Sequence, residues 1–300
     1  MNVLITGGTG FLGCHLIEAA QKSGWQVTVL SRTRPDLTSV KSYRGDLVSP
    51  GTQISEAFKN QDLILHAAVD YHSPQRTFAM TENVLTLAAS SGNAKIVFIS
   101  SQNASFKNPR GYSLAKRQSE DLLKARYSNW CIVRPTLIYD DGGGFFIGDL
   151  IRAARKFRVI PIPGSKTAQI QPVHAEDVAR LIIQAVELPQ GTTWTIAGQE
   201  AITLKELAKQ IQRNLPGTSI FSIPMGPLKL LGKLIPALGE KITELEQVKT
   251  LSREEDKQLL SILGGRRRSI LEDLPKLIGS TGGDQTKIDV LRNPRVGIKE

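Results

Sequence analysis

The feature that most constrains this chain lies near its start, where Thr6-Gly7-Gly8-Thr9-Gly10-Phe11-Leu12-Gly13 joins an apolar run, Val3 to Thr6, to a helical pattern over Phe11–Ser23. Gly7, Gly10 and Gly13 fit G-x-x-G-x-x-G. In a strand–turn–helix setting the first glycine permits a tight turn. The second lets the backbone approach a pyrophosphate, and the third lets helix and strand pack closely. Helix-start amides then face an anion, aided by the helix dipole. Thr6, Gly7, Thr9, Gly10, Phe11 and Leu12 are therefore expected around the phosphates of a dinucleotide.

The same alternation continues downstream. Val27–Ser31, Leu63–His66, Ile96–Ser101 and Trp130–Arg134 are near-continuous apolar runs, as expected of strands covered on both faces. Helical patterns over Gln75–Ser90, Ser113–Arg126 and Glu176–Glu187 separate or succeed them, with Gly24 and Gly92 placed to end helices. This order predicts an α/β fold with a doubly wound parallel sheet, Rossmann-like. After Tyr139 the regularity breaks at Asp140-Asp141-Gly142-Gly143-Gly144, and Pro161, Pro163 and Gly164 punctuate the next stretch of chain. Trp194–Ala197 reads as a short strand, Thr203–Arg213 as a helix capped by Thr203 with Glu206, and 216–300 as mostly helical. The expected division is a nucleotide-binding core at 1–140 and 172–190, and a smaller, partly interleaved C-terminal substrate lobe at 141–171 and 191–300.

Composition narrows the classes. With 40% hydrophobic and 22% charged residues, the chain is neither disordered nor fibrous. Cys14 and Cys131 support neither a disulfide framework nor a zinc site, so no metal is expected. No apolar run approaches a membrane span, and the N-terminus shows no leader pattern, which together point to a cytoplasmic setting. The net charge of +10 raises nucleic acid as a partner. Aromatics are only 6%, and the run Arg266-Arg267-Arg268, with Lys287, Arg292, Arg295 and Lys299, reads as solvated surface. A phosphorylated small molecule fits the charge better than nucleic acid.

The end of the second strand selects the dinucleotide. An NAD enzyme places Asp or Glu there for the ribose 2′-hydroxyl, whereas arginine accommodates a 2′-phosphate. Here Leu30-Ser31-Arg32-Thr33-Arg34 has no acid before Asp36. Arg32 and Arg34 thus predict NADP(H) in preference to NAD(H).

As a set, these motifs resemble the extended or atypical short-chain dehydrogenase/reductases, the NAD-dependent epimerase/dehydratase-like group. The resemblance is carried by the glycine turn, Gly45-Asp46-Leu47, His66-Ala67-Ala68, Ser100-Ser101, Tyr112-Ser113-Leu114-Ala115-Lys116, Arg134 to Tyr139, and Pro172 to Ala179, over about residues 1–215. It implies that Asp46 and Leu47 flank the adenine and that Ala67 and Ala68 pass beneath the phosphates and ribose. It also implies that Pro135 and Ile138 line the nicotinamide end. Tyr112 would be the acid/base, and Lys116 would bind the nicotinamide ribose and lower the tyrosine pKa. Family members often dimerise through the helix bearing Y-x-x-x-K and the one before it, so a homodimer is an expectation.

Two departures stand out. The family's carbonyl-binding Ser or Thr falls on Gln102, with Ser101 adjacent, and Ser101 is taken as the third catalytic residue. Where sugar-nucleotide enzymes carry a diphosphate-gripping arginine, this chain has Ile170, four residues before His174; His174 itself is either a pocket or a capping residue. Pro227–Pro236 reads as a helix covering the substrate cleft or packing on a neighbour, and Arg253–Lys257 as a solvated helix face. The expected function is reversible hydride transfer between NADP(H) and a carbonyl or carbinol carbon of a small molecule, by an oxidoreductase or epimerase. The alternative is a non-catalytic NADPH-binding accessory or assembly subunit, since atypical members include a subunit of respiratory complex I.

Overall fold

The computed structural model describes residues 1–32, 40–71, 73–142, 144, 146–163, 169–224, 226 and 267–279. Arg34, Gly143, Gly164, Arg266, the 227–236 and 253–257 stretches and the basic positions beyond 280 lie outside them.

Seven parallel strands form the central sheet: β1 (Asn2–Thr6), β2 (Gln26–Ser31), β3 (Lys41–Arg44), β4 (Leu63–His66), β5 (Lys95–Ile99), β6 (Trp130–Pro135) and β11 (Thr192–Ile196). Their spatial order is β11-β6-β5-β4-β1-β2-β3. The apolar runs are continuous because alternate residues enter different cores. Val3, Ile5, Leu63, Leu65, Val97 and Ile99 pack with α1 (Gly13–Lys22) and α6 (Ala175–Gln184). Leu4, Ile64, Ile96 and Phe98 pack on the opposite side with α2 (Thr52–Phe58), α3 (Pro74–Ser90) and α4 (Gly111–Arg126). The period-2 geometry of a strand requires this division, and it is the expected doubly wound fold.

The expected helix ends at Gly24 and Gly92 are observed, and Thr203 and Glu206 form a reciprocal capping box at the start of α7 (Leu204–Asn214). Two elements of the core come without warning. β3 is a polar edge strand, and α2 follows Gly51 without a side-chain cap. Two expectations need correction. Thr192–Ile196, assigned to the lobe, pairs residue for residue with Cys131–Pro135 and is the sheet's outer strand, because its backbone completes the otherwise open β6 edge. The region after 216 is not uniformly helical: β13 (Ser219–Ile223) pairs in parallel with β8 (Val159–Pro163).

The lobe has its own core. α5 (Phe146–Phe157), β8, α7 and α8 (Ile270–Gly279) enclose Ile147, Leu150, Ile151, Ile160, Leu207, Ile211 and Leu274. Short pairings complete the strands: β7 (Ile138–Tyr139) with β10 (Val173–His174), and β9 (Gln169–Ile170) with β12 (Ile202–Thr203). No helix among the described residues is long and apolar enough to cross a membrane.

Candidate active site

The site is built at the carboxyl ends of the parallel strands, where an open α/β sheet leaves its crevice. The glycine turn follows β1. Gly7 has φ +73°, and a Cβ there would sit 2.7 Å from the Ala68 nitrogen, so turn and β4 exit touch backbone to backbone. A Cβ on Gly13 would lie 2.2 Å from the Gly7 carbonyl oxygen, which is why α1 can start directly against the turn. Gly10 is exposed, and its N–H is spent on the Gly7 carbonyl. The N-cap of α1 is Leu12, which supplies no side-chain hydrogen bond, and the first turn has no acidic residue. A helix start without a capping oxygen or a carboxylate suits an external anion. A glycine cradle that side chains would fill, ending on an uncapped helix, fits a dinucleotide pyrophosphate. Thr6 plays a different part from the flanking glycines. It is wholly buried, and its hydroxyl lies 2.7 Å from Nδ1 of buried His66.

Asp46 and Leu47, expected from the resemblance to flank an adenine, follow β3. Asp46 accepts hydrogen bonds from the Val48 N–H at 2.9 Å and from Arg76 Nη2 at 2.6 Å. These bonds hold its carboxyl below the usual range, although partial burial opposes them. Arg76, at the start of α3, also donates to Asp70 at 3.1 Å, and Arg32 Nη1 lies 3.9 Å from the same carboxylate. Arg44 donates to the Arg32 carbonyl. Three guanidiniums therefore gather where the sequence alone pointed to Arg32. Arg76 and Arg44 carry no sequence signal, because 30 and 12 residues separate them from the groups they hold.

The expected acid/base pair is carried by α4. Tyr112 and Lys116, four residues apart, share one helix face. Tyr112 is half-buried, and its ring packs on exposed Tyr71 at 5.1 Å between centroids. Lys116 is 2% exposed; its Nζ donates to the Ile99 carbonyl at 2.8 Å and lies 4.8 Å from the Phe98 ring centre. Burial pulls its pKa down to about 7, with the Glu120 carboxylate opposing the fall. Ser101 caps the 3₁₀ turn Gln102–Ser105, its Oγ accepting the Asn103 N–H at 3.2 Å, and Gln102 is buried beside it. Ala67, Ala68, Pro135 and Ile138 are buried or half-buried at the neighbouring strand exits.

His174 is resolved as a capping and packing residue. It is fully enclosed; Nδ1 accepts the Glu176 N–H at 3.2 Å and the ring meets Tyr139 edge-on. Ile170 is 3% exposed in the lobe core. The basic run read as solvated surface is also partly interior. Arg267 is buried and donates to the Ala197 carbonyl, and Arg268 bridges Asp141, Glu176 and Asp273. Among the described residues no cluster of His, Cys, Asp and Glu could hold a metal.

A sequence model of the NAD dependent epimerase/dehydratase family matches residues 3–197. The chain belongs to this family. Among curated members, the chain is 30% identical to ceramide reductase of Caulobacter vibrioides, covering 64% of this chain and 67% of that protein. It is 26% identical to mitochondrial NADH dehydrogenase (ubiquinone) 1 alpha subcomplex subunit 9 of Dictyostelium discoideum, over 73% of this chain and 64% of that one. The chain thus spans about two thirds of the length of these relatives. Of solved folds, a dTDP-glucose 4,6-dehydratase double mutant from Streptomyces venezuelae with NAD bound superposes with a TM-score of 0.77. The pair is 17% identical, over 97% of this chain and all of the other. The family's Rossmann-like fold is therefore the fold of this chain.

Proposed function

We propose that this member of the epimerase/dehydratase family is an NADP(H)-dependent oxidoreductase or epimerase acting on a carbonyl or carbinol carbon of a small molecule. The observation that carries the reading is the pairing of the uncapped, glycine-lined start of α1 with the Tyr112–Lys116 face of α4 across the same strand ends. When bound, the nicotinamide supplies or accepts hydride at its C4. The chain's own residues do the rest. Tyr112 gives or takes the hydroxyl proton, and Lys116 orients the ribose and supports the phenolate. Ser101 steadies the substrate oxygen by donating its hydroxyl proton while Oγ keeps accepting the Asn103 N–H; Gln102 is the fallback. The apolar Ile170, sunk in the lobe core, argues against a diphosphate substrate at that position. The name of the Caulobacter relative, a reductase, agrees with carbonyl reduction.

Purified protein should oxidise NADPH with some carbonyl in a panel. Tyr112→Phe should abolish turnover, by at least ~100-fold as expected for loss of a general acid, with NADPH affinity unchanged in calorimetry. For the cofactor, Arg32→Ala should weaken NADPH about tenfold or more while leaving NADH within about twofold, since a 2′-phosphate contact is worth roughly 1.4 kcal/mol or more. Equal losses would remove the 2′-phosphate assignment.

A second reading has one observation behind it. The Ser101 Oγ serves as a turn cap, and buried Gln102 falls in the family's serine slot. A chain that keeps NADPH without turning it over would show that pattern, and similarity to an NADH dehydrogenase subunit runs the same way. Tight NADPH binding with no turnover across the panel would select it.

A further inference from the structure

Resting on the hydride-transfer reading, we propose that Glu120 is a positioning residue whose buried carboxylate, gripped by Arg134 from β6 and Ser100 just past β5, keeps Lys116 set for Tyr112. Glu120 is fully enclosed. A carboxylate is costly to bury unless its lone pairs are filled, and here they are. Oε1 accepts the Ser100 hydroxyl and, at 2.9 Å, Arg134 Nε; Oε2 accepts Arg134 Nη2, with Lys124 Nζ 3.9 Å away. The fork is bidentate, which fixes orientation as well as charge.

The placement relative to the reacting end is specific. Tyr112, Lys116 and Glu120 fall at i, i+4 and i+8, one stripe along α4. Lys116 holds the Ile99 carbonyl and Glu120 holds the Ser100 hydroxyl, so two adjacent residues at the β5 exit are clamped by two successive turns of one helix. Ser101 is the next residue in the chain. The clamp sets the rotation of α4 against β5, and with it the aim of Lys116.

Charge gives the clamp a second action. The Lys116 ammonium is coupled to Glu120 on its own helix and to His66 from β4; Arg134 from β6 and Lys124 from α4 flank Glu120, and β5 presents the Ile99 carbonyl and the Phe98 ring. His66 is held neutral by burial, with a pKa of about 3. Glu120 therefore offsets the Arg134 charge and favours the protonated lysine. With glutamine at 120 the carboxylate beside Lys116 is lost and the Arg134 charge that it gripped is left unneutralised, so Lys116 gives up its proton more readily.

The test is NMR titration of the Lys116 side chain in full-length protein with labelled lysine, alongside calorimetry with NADPH. In Glu120→Gln the Lys116 midpoint should fall by about one pH unit or more, the size expected when a neighbouring charge is removed in a buried site. In Glu120→Gln/Arg134→Met, which removes both charges, it should return to within about 0.5 unit of wild type. A purely structural role would lower thermal stability in both variants alike and move neither midpoint. An unchanged midpoint in folded Glu120→Gln overturns the proposal, as does a double variant that fails to restore it. Should Glu120→Gln not fold, Glu120→Asp replaces it. Its shorter carboxylate keeps the charge, so the midpoint should hold while NADPH affinity falls, and a midpoint that drops overturns the proposal. The titration needs no turnover, so absent NADPH binding would sink the functional reading without touching this result.

Discussion

His66 stands at the end of β4 with its ring wholly enclosed, Nδ1 2.7 Å from the Thr6 hydroxyl and Nε2 3.2 Å from that of Thr81. It ties the exits of β1 and β4 to α3 just where the glycine turn meets Ala68. Burial, seconded by the Lys116 charge, lowers its pKa from 6.5 to about 3. The folded state therefore holds the neutral ring, while the unfolded chain takes up a proton near pH 6.5. The stabilisation is complete above that pH and is lost as pH falls toward 3. At about 1.4 kcal/mol per unit, denaturant unfolding should show a loss of about 2 kcal/mol from this residue between pH 6.5 and 5. His66→Gln should remove that slope, and an unchanged acid slope in the variant would refute the assignment. The histidine also explains why the threonine before the turn faces inward, a partnership of residues 60 apart that no local pattern announces.

Among elements, the strand–turn–helix unit at the start is the most demanding. Gly13→Ala would place a methyl group 2.2 Å from the Gly7 carbonyl and 2.7 Å from the Gly8 Cα, so α1 must shift away from the turn. The expected cost is about 1–3 kcal/mol of stability, as for overpacked cores, together with a tenfold or greater loss of NADPH affinity. Gly51→Ala, where nothing lies within 4 Å, should leave both unchanged. Calorimetry and urea melts on the two variants decide it. This unit was fully legible because its constraint is local. So were β1, β2, β4, β5 and β6, whose two-sided burial writes itself as unbroken apolar runs. β3 was not, since an edge strand reading Lys-Ser-Tyr-Arg needs no apolar alternation. Nor was α5, whose Ile147, Leu150, Ile151 and Ala154 stripe sits behind a glycine-rich approach that reads as loop. The candidate site divides the same way. Tyr112 and Lys116 are expected through the resemblance to the family's Y-x-x-x-K, whereas Arg76, Glu120 and Arg134 hold partners that the sequence does not announce.

Across the molecule, the Arg268 guanidinium helps join the core to the lobe. Arg268 reaches Asp141 beyond β7, Glu176 at the head of α6 and Asp273 in α8, and its backbone N–H is accepted by Asp177. Tyr139 completes the joint by donating its hydroxyl to Asp273 at 2.9 Å; burial and that bond together push the tyrosine pKa upward. A half-exposed pair is worth little, but Asp273 is 6% exposed, and a buried carboxylate stripped of its partner is expensive. Arg268→Met should cost about 2–4 kcal/mol in urea unfolding and quicken proteolysis of the lobe. Arg152→Met, which breaks the open pair with Asp149, should stay within about 0.5 kcal/mol. Comparable effects from the two would show that Arg268 does not join the halves.

The order of segments also bears on how the polypeptide matures as it leaves the ribosome. The outermost strand of the sheet, Thr192–Ile196, emerges after α5 and β8 have already appeared, yet the apolar residues of those two elements find their last partners in Leu274 and Leu277. Translation must therefore carry a half-covered greasy surface for more than a hundred further codons. A stop after Ile196 and before Ile270 would release a product with a finished sheet and an unfinished neighbour, the kind of species that chaperones capture.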